Sequence, residues 1–189
     1  SARGRGVLVV MADSIHTAAG VIKVHAESYD SFASPRCGPI GTVDRGNVIF
    51  FTRPTRPSLP SFKGDAIVPS VELIKAVAGA DGNYVKSCVA AGVKGLVIEG
   101  MGRGNVTPGM AKALTENSSN VPIIITTRCA QGRAAPMYGY DGGGATLKES
   151  GVIFADQLPG PKARLLLMLL LGAGAGREEI KAAFEQDRY

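Results

Sequence analysis

Tryptophan is absent from the 189 residues, and aromatic residues make up only 6% of them. The 21 lysines and arginines outnumber the 16 acidic residues, but they are spread along the chain and form no block of like charge. Proteins that bind nucleic acid combine a basic patch with aromatic side chains on which bases stack. Neither feature is concentrated anywhere in this sequence, and we expect no nucleic-acid partner.

Cysteine and histidine are also scarce. The three cysteines, Cys37, Cys88 and Cys129, are odd in number and have no paired spacing, which argues against a disulfide framework. Cys88 is predicted to be a small buried residue of a helix. His16 and His25 lie nine residues apart, which is not a metal-ligand spacing, so we expect no metal.

Long hydrophobic runs are missing as well. The longest run of large apolar residues, within ARLLLMLLLGAGAG, has seven members, whereas a membrane span needs roughly 20. A helix buried on most sides explains the run better. No signal peptide is visible. We therefore expect no membrane partner and a cytoplasmic protein.

The run VLVVM at residues 7–11 is apolar and largely β-branched. Such a run is typical of a strand that is covered on both faces. A strand of this kind needs neighbours on each side, and residues 1–6 supply none. We therefore expect the chain to be the latter part of a larger protein. Residues 12–30, which include Lys23, are predicted to form a polar loop.

Two connecting features follow. Residues 41–43 and 47–51 flank the triplet Asp44-Arg45-Gly46, which indicates a short hairpin. Residues 54–64, with the sequence PTRPSLPSFKG, have the composition of a linker.

From about residue 67 the sequence alternates regularly between strand and helix patterns. Thr107 is predicted to cap one helix, with Pro108 in its first turn. Such alternation predicts an α/β fold with a doubly wound parallel sheet, which binds ligands at the carboxyl ends of its strands. The predicted strands cover residues 71–78, 95–98, 121–126 and 152–154, and the predicted helices cover 83–91, 107–116, 161–171 and 177–186.

A glycine-rich loop, in the stretch LVIEGMGRGNVTPGM, follows the second of these strands. Its glycines, Gly100, Gly102 and Gly104, miss the dinucleotide spacing by one residue, and neither the acidic residue nor the phosphate-loop lysine is present. We expect no cofactor there. The glycines permit positive φ and a close approach by a partner. The loop is predicted to present Asn105 to a small polar ligand such as an amino acid or amide.

Two other groups have open interpretations. Lys23 lies among branched apolar residues, and it is either a surface lysine that extends to solvent or a partly desolvated amine serving as proton relay or charge partner. Thr126 and Thr127 end a predicted strand, where they either carry chemistry or form capping and sheet-edge hydrogen bonds.

Several stretches, taken together, resemble the bacterial-type L-asparaginases. GRGVLVVMADSIHTAAGVIKVHAESYDSFASPRCGPIG is similar to that family's strand, lysine loop and G-P-[LI]-G linker. GVKGLVIEGMGRGNVTPGM matches its G-x-G-x-G-N loop, and GVIFADQLPGPKARLLLMLLL with REEIKAAF resembles its final strand and closing helices. The resemblance covers nearly all 189 residues, in the family's order.

The resemblance implies an enzyme that hydrolyses L-asparagine, with L-glutamine as the alternative substrate, to L-aspartate and ammonia through a threonine nucleophile. It implies two α/β domains and a homo-oligomer, a dimer or tetramer. Lys23 matches the family's catalytic lysine, and Asn105 matches the loop asparagine that reaches the substrate from the partner subunit. Asp141, in YGYDGGGATL, is the candidate for a carboxylate near the substrate's amino group.

The sequence departs from the family in ways that bear on activity. The segments T-G-G-T and G-T-D-T, which carry the nucleophile and its partners, do not occur in this chain. Around Lys23, positions where the family often carries hydroxyl residues hold Ile22, Val24 and Ala26. The chain is therefore expected to be inactive alone and to need an amino-terminal asparaginase domain or chain.

The predicted domains are the end of a catalytic domain over residues 1–46, a hairpin and linker over 47–66, and a carboxyl-terminal α/β domain over 67–189. The alternative function is a non-catalytic small-molecule binding or interaction domain derived from an asparaginase second half. A third option, an amidotransferase acting on aminoacyl-tRNA, calls for a long basic surface that the sequence lacks.

Overall fold

The structure is a computed structural model that describes residues 2–54 and 66–185. The chain divides into two compact units, called the first unit (residues 2–54) and the second unit (residues 66–185). Except for Pro54, the predicted linker lies outside the described residues. The three predicted domain ranges stay a prediction.

The first unit consists of β-strands. Four of them form an antiparallel sheet in the order β1-β2-β5-β6, and the remaining two pair as a short hairpin. The strands are β1 (Leu8–Met11), β2 (Ser14–Thr17), β3 (Ile22–Lys23), β4 (Phe32–Ala33), β5 (Gly41–Asp44) and β6 (Asn47–Phe50).

The predicted hairpin around Asp44-Arg45-Gly46 is present as β5 and β6. Arg45 and Gly46 form its two-residue turn, with φ values of 46° and 82°. Two consecutive positive φ angles match the right-handed twist of the flanking strands, and glycine adopts the second of them without steric cost.

The predicted strand at residues 7–11 is present as β1. Ala12 and Asp13 take positive φ and turn the chain back into an antiparallel partner, so β1 is an edge strand within the described residues, and Val10 is 56% exposed. That this strand is covered on both faces in a larger protein stays a prediction. One prediction for the first unit is wrong, because residues 12–30 are not a single polar loop but contain β2 and β3.

The second unit confirms the α/β fold with a parallel sheet. Its four strands lie in the order β10-β9-β8-β7, and each neighbouring pair is parallel. The strands are β7 (Val71–Lys75), β8 (Gly95–Gly100), β9 (Ile123–Thr127) and β10 (Ile153–Phe154). The helices are α1 (Asn83–Ala90), α2 (Pro108–Asn117), α3 (Gly144–Glu149), α4 (Gly160–Gly172) and α5 (Arg177–Phe184).

Apolar side chains cover both faces of the parallel sheet. Alternate strand residues point to opposite faces, so Leu96 and Ile98 pack under the three crossover helices α1, α2 and α3. Val97 and Ile124 pack against α4 and α5 on the other face. All four strand residues are fully buried. This arrangement explains why the strands have continuous apolar sequences.

The predicted helices are present with small shifts at their ends, and Thr107 caps α2 by accepting a hydrogen bond from Met110 N at 3.3 Å. Cys88 lies in α1 and is buried, as predicted. Helix α3 was not predicted, because its start lies in the triplet Gly142-Gly143-Gly144, a composition that disfavours helix. None of the helices in the described ranges has the length and apolar character needed to cross a membrane.

Candidate functional site

The glycine-rich loop lies at the carboxyl end of β8, at the edge where parallel sheets bind ligands. Met101 and Asn105 pair as an isolated antiparallel bridge, with Met101 N donating to Asn105 O at 2.7 Å and Asn105 N donating to Met101 O at 2.9 Å. Two close backbone hydrogen bonds hold the loop in a tight turn. The loop therefore presents its asparagine from a fixed backbone.

The loop does not form a phosphate cradle. Such a site needs several backbone N–H groups directed at the ligand. Here the N–H groups of Met101, Gly104 and Asn105 donate within the loop, and Val106 N donates to Gly142 O at 2.9 Å. These four N–H groups are therefore used inside the second unit and are not available to a phosphate.

Two of the three glycines serve the loop's own packing, and not the approach of a partner as their spacing predicts. A side chain on Gly100 would come within 2.6 Å of Gly104 Cα, and one on Gly104 would come within 2.7 Å of Ile125. Only Gly102 faces open space. Gly104 also has a φ of 107°, which other residues rarely adopt. Gly102 alone remains available for close approach by another molecule.

The side chain of Asn105 is oriented by a backbone group of the neighbouring segment. Its Oδ1 accepts a hydrogen bond from Gly144 N at 3.3 Å. The Nδ2 group has no partner within residues 2–54 and 66–185 and is left to donate. An asparagine amide both donates and accepts, but this contact uses the acceptor. The amide of Asn105 is therefore oriented with its acceptor used and its donor group available.

Asp141 lies in the turn that packs beside this loop. The turn contacts the loop through Gly142 O, and its backbone is closed by Gly143 N donating to Tyr140 O at 2.7 Å. Asp141 is exposed. The structure therefore brings the segments of Asn105 and Asp141 to the same edge of the second unit, although no hydrogen bond joins the two side chains.

An aromatic surface borders the same turn. The rings of Tyr138 and Tyr140 lie 5.7 Å apart and are tilted by 35°. Both tyrosines are about half exposed, as is Met137 beside them. Exposed aromatic and methionine side chains of this kind are enriched at protein–protein interfaces.

Thr126 and Thr127 form internal hydrogen bonds. Thr126 Oγ1 donates to Leu158 O, and Thr127 Oγ1 donates to Gly102 O, each at 2.6 Å. Thr127 Oγ1 also accepts a hydrogen bond from Cys129 N. Both threonines are buried, so these hydroxyls anchor the loops at the end of β9. Of the two open interpretations, the geometry supports the structural one.

The environment of the Cys88 thiol does not favour its reactive form. Burial, together with the negative charge of Glu72, raises the pKa of Cys88. A raised pKa keeps the thiol protonated near neutral pH, and the thiolate is the nucleophilic form. Cys88 thus has the environment of a packing residue in α1.

Lys23 lies in the first unit, on strand β3 of the short hairpin. Its Nζ donates to Ser31 Oγ at 3.4 Å and lies 5.2 Å from the centre of the Phe32 ring. The opposite strand supplies the ring, since Lys23 pairs with Phe32. The lysine is exposed, and Ser31 and Phe32 are the two neighbours of its ammonium group.

Sequence reasoning missed the residues that orient these side chains. Gly144 fixes the amide of Asn105, and Ser31 holds the ammonium of Lys23. The separations along the chain are 39 and eight residues. Neither contact leaves a periodic signal in the sequence. The triplet Gly142-Gly143-Gly144 is the sequence feature that points to the contact with Asn105, because three adjacent glycines indicate close packing of the backbone.

Fold and site together define an α/β protein with an asparagine amide at the carboxyl edge of its parallel sheet. A unit of β-strands precedes this sheet in the chain and carries Lys23. Comparison with protein families gives two matches. Residues 70–184 match the model described as Glutaminase/Asparaginase C-terminal domain, and residues 1–56 match Asparaginase, N-terminal.

Individual proteins agree with the family models. A probable L-asparaginase from Deinococcus radiodurans is 40% identical over 187 residues, covering 97% of this chain and 56% of that protein. A probable cytoplasmic L-asparaginase from Campylobacter jejuni has a similar structure, with a TM-score of 0.83 and 27% identity over 98% of this chain and 56% of that one. The chain belongs to the bacterial-type L-asparaginase family.

The same comparisons show a difference in length and a relative of a second kind. The chain spans just over half the length of these asparaginase relatives. A component of the glutamyl-tRNA(Gln) amidotransferase from Methanosarcina acetivorans is also similar, at 31% identity over 179 residues, covering 92% of this chain and 41% of that protein.

Proposed function

We propose that this chain is a portion of an L-asparaginase that hydrolyses L-asparagine to L-aspartate and ammonia, with L-glutamine as a second substrate. The nucleophilic threonine is supplied by an amino-terminal asparaginase domain or chain, because T-G-G-T and G-T-D-T do not occur among the 189 residues. Acyl transfer needs an activated hydroxyl, a base and an oxyanion site in one place. This chain contributes one catalytic group and substrate contacts, and by itself it is inactive.

The observation that supports this proposal most is the fixed donor at Asn105. With Oδ1 committed to Gly144 N, Nδ2 is left to bind an acceptor oxygen. Asparagine carries a carboxylate and an amide carbonyl, and both are acceptors of this kind. Asp141, exposed on the adjacent turn, supplies the opposite charge for the substrate's ammonium group. The two side chains together suit a zwitterionic amino acid.

Lys23 is the proposed catalytic residue. An ammonium group beside the nucleophile's aspartate stabilises that carboxylate and passes a proton during activation of the threonine. The contacts of Nζ with Ser31 and Phe32 support this role, because they restrict the long side chain before any substrate arrives. Positioning of this kind is a large part of what catalytic groups require.

The proposed enzyme is a homo-oligomer, a dimer or tetramer, in which Asn105 and Asp141 act in the active site of a neighbouring subunit. The half-exposed Tyr138 and Tyr140, which border the turn that contains Asp141, support a contact surface there. We place the protein in the cytoplasm, as the Campylobacter relative is described.

The amidotransferase relatives favour a second candidate, in which the same amidohydrolase chemistry supplies ammonia to a partner that modifies aminoacyl-tRNA. This candidate predicts ammonia release that depends on added tRNA and a partner. Ammonia release from free asparagine that is unaffected by added tRNA separates the asparaginase from this candidate. The non-catalytic binding domain, the remaining candidate, predicts no release under any condition.

Ammonia release from asparagine tests the proposal in two mixtures. The chain alone is expected to match a buffer control, and the chain mixed with the amino-terminal half of a related asparaginase is expected to turn over. Turnover by the lone chain would place the nucleophile within these residues and overturn the proposal. No turnover by the mixture, after co-purification shows that the two parts associate, would favour the non-catalytic binding domain.

A further inference from the structure

His16 is a buried histidine of the first unit that the proposed function does not use. It lies on β2, next to Ile15, and both are at least 97% buried. Neighbouring residues of a strand point to opposite faces, so the two faces of β2 are each covered at this point. On its own face His16 contacts Ser34, whose hydroxyl lies 2.9 Å from Nδ1.

The other ring nitrogen has no partner. Nε2 of His16 is buried and makes no hydrogen bond to any residue in the described ranges. Burial also lowers the pKa of His16, so the ring is neutral near pH 7 and one nitrogen donates while the other accepts. A buried nitrogen without a hydrogen bond costs free energy of folding. A leucine would fill the same space without that cost. The contact of Nδ1 with Ser34 is therefore the feature that distinguishes histidine here from an apolar residue.

Ser34 connects this contact to Lys23. It follows β4 directly, and β4 pairs with β3, where Lys23 lies. The hairpin closes through Val24 N donating to Ser31 O at 2.8 Å, and Ser31 Oγ accepts from Lys23 Nζ. The bond between His16 and Ser34 thus joins the four-stranded sheet to the strand opposite the lysine.

The turn before the hairpin packs against the same hydroxyl. A side chain on Gly20 would come within 3.0 Å of Thr17 Oγ1 and within 3.4 Å of Ser34 Oγ. Gly20 N donates to Thr17 O, which keeps this turn closed. Gly20 therefore lies close to the Ser34 hydroxyl, and a larger residue at this position would contact the group that reaches His16.

We propose that His16 is a positioning residue for Lys23, acting through its hydrogen bond to Ser34, which fixes the β3–β4 hairpin against the sheet. The proposal rests on the catalytic role proposed for Lys23. It assigns His16 no contact with substrate. A buried residue that only filled space would be replaceable by any side chain of similar volume, whereas a positioning residue needs its hydrogen bond.

Four variants of the chain separate these roles. His16→Leu removes the bond and keeps the volume, Ser34→Ala removes it from the other side, and His16→Asn retains an amide near the place of Nδ1. Ile15→Val is the packing control, because Ile15 lies on the same strand and points to the opposite face.

Hydrogen exchange at the Val24 amide is the readout that needs no catalysis. We expect exchange to rise about tenfold in His16→Leu and Ser34→Ala, because one hydrogen bond that holds the hairpin is lost. It should return to within about threefold of the parent in His16→Asn. Unchanged exchange in both His16→Leu and Ser34→Ala would overturn the proposal, and Ser34→Ala decides it if His16→Leu does not fold.

Kinetics with the amino-terminal asparaginase half added give the second readout. We expect kcat to fall about tenfold or more in His16→Leu with KM within about twofold, and His16→Asn to recover most of it. A loss in KM alone, or equal losses in the leucine and asparagine variants, would contradict positioning. If the parent mixture releases no ammonia, the proposed function fails, and the exchange measurement still decides whether His16 holds the hairpin.

Discussion

The two units bury their apolar residues to different degrees. In the second unit the central strands are covered on both faces, and residues such as Leu96 and Ile124 are fully buried. In the first unit, Val10, Val48 and Phe51 are each more than half exposed. The second unit therefore encloses a core of its own, whereas the first leaves large apolar side chains exposed on and beside its strands.

The largest expected effect tests where stability lies. Leu167→Ala in α4 removes a fully buried side chain from the core of the second unit and should lower the free energy of unfolding by about 2–5 kcal/mol. Val48→Ala in β6, which is 54% exposed, should lower it by less than about 0.5 kcal/mol. Urea unfolding followed by circular dichroism measures both. Similar losses of unfolding free energy in the two variants would contradict the claim that the two units bury their apolar residues to different degrees.

The next test concerns Lys23, the catalytic residue proposed for the first unit. Lys23→Met keeps the packing of the stem and removes the ammonium, so kcat should fall roughly 10²-fold once the amino-terminal portion is supplied. Lys86→Met, on exposed α1 surface of the second unit, is the matched control and should leave kcat unchanged. If kcat of the Lys23→Met enzyme stays within about twofold of the parent, Lys23 is an ordinary surface residue.

The second unit is expected to affect binding more than turnover. Asn105→Ala removes one hydrogen bond to a charged ligand, worth about 1.5–3 kcal/mol, so KM for asparagine should rise tenfold or somewhat more. Asn117→Ala, an asparagine at the end of α2 whose side chain donates to its own helix at Ala113 O, should leave KM unchanged. Unchanged kinetics in Asn105→Ala, or a clear thermal shift with ATP or NAD, would revive the nucleotide interpretation.

Two glycine variants test the close packing of the loop. Gly142 and Gly132 have similar positive φ values of 89° and 79°, but only a side chain on Gly142 would collide with a backbone oxygen, that of Val106. Both alanine variants should lose about 1 kcal/mol from the strained backbone. Gly142→Ala should lose about 1–3 kcal/mol more from the clash and should also raise KM. Equal melting temperatures for the two variants would show that the contact with the Asn105 loop is unimportant.

The smallest effect is a dependence of stability on pH in the first unit. Burial lowers the pKa of His16, so as pH falls through about 6.5 the unfolded chain takes up a proton that the folded chain does not. Stability should therefore decrease below that pH, by at most about 1.4 kcal/mol per pH unit. His16→Asn, which cannot titrate, should lose this component in a series of unfolding curves. An unchanged pH dependence would mean that His16 is not its source.

Sequence patterns predicted the second unit well and the first unit poorly, and the reason is physical. Continuous apolar runs such as residues 95–98 report burial on both faces of a parallel sheet, and a proline and a threonine mark the start of α2. Strands β2 and β3 are short and partly polar, and pairing across turns makes them strands in spite of their composition.

The site could be predicted only in part. The family motif pointed to Lys23, Asn105 and Asp141 as residues, and the structure adds how the first two are held. The orientation of the Asn105 amide depends on Gly144, and the hairpin of Lys23 is joined to His16 through Ser34. These are contacts between side chains and distant groups, which hydrophobic periodicity does not encode.

The central claim is that the two units act in the active sites of different subunits, and mixing impaired variants tests it most directly. Lys23→Met chains and Asn105→Ala chains are combined in equal amounts, each with the amino-terminal portion, allowed to exchange subunits, and assayed at asparagine concentrations well below KM. Random pairing in a two-fold dimer gives half mixed dimers, each with one intact site, so ammonia release should recover to about a quarter of the parent. Activity no higher than the average of the two separate variants would show that both residues act within one subunit and would contradict the account.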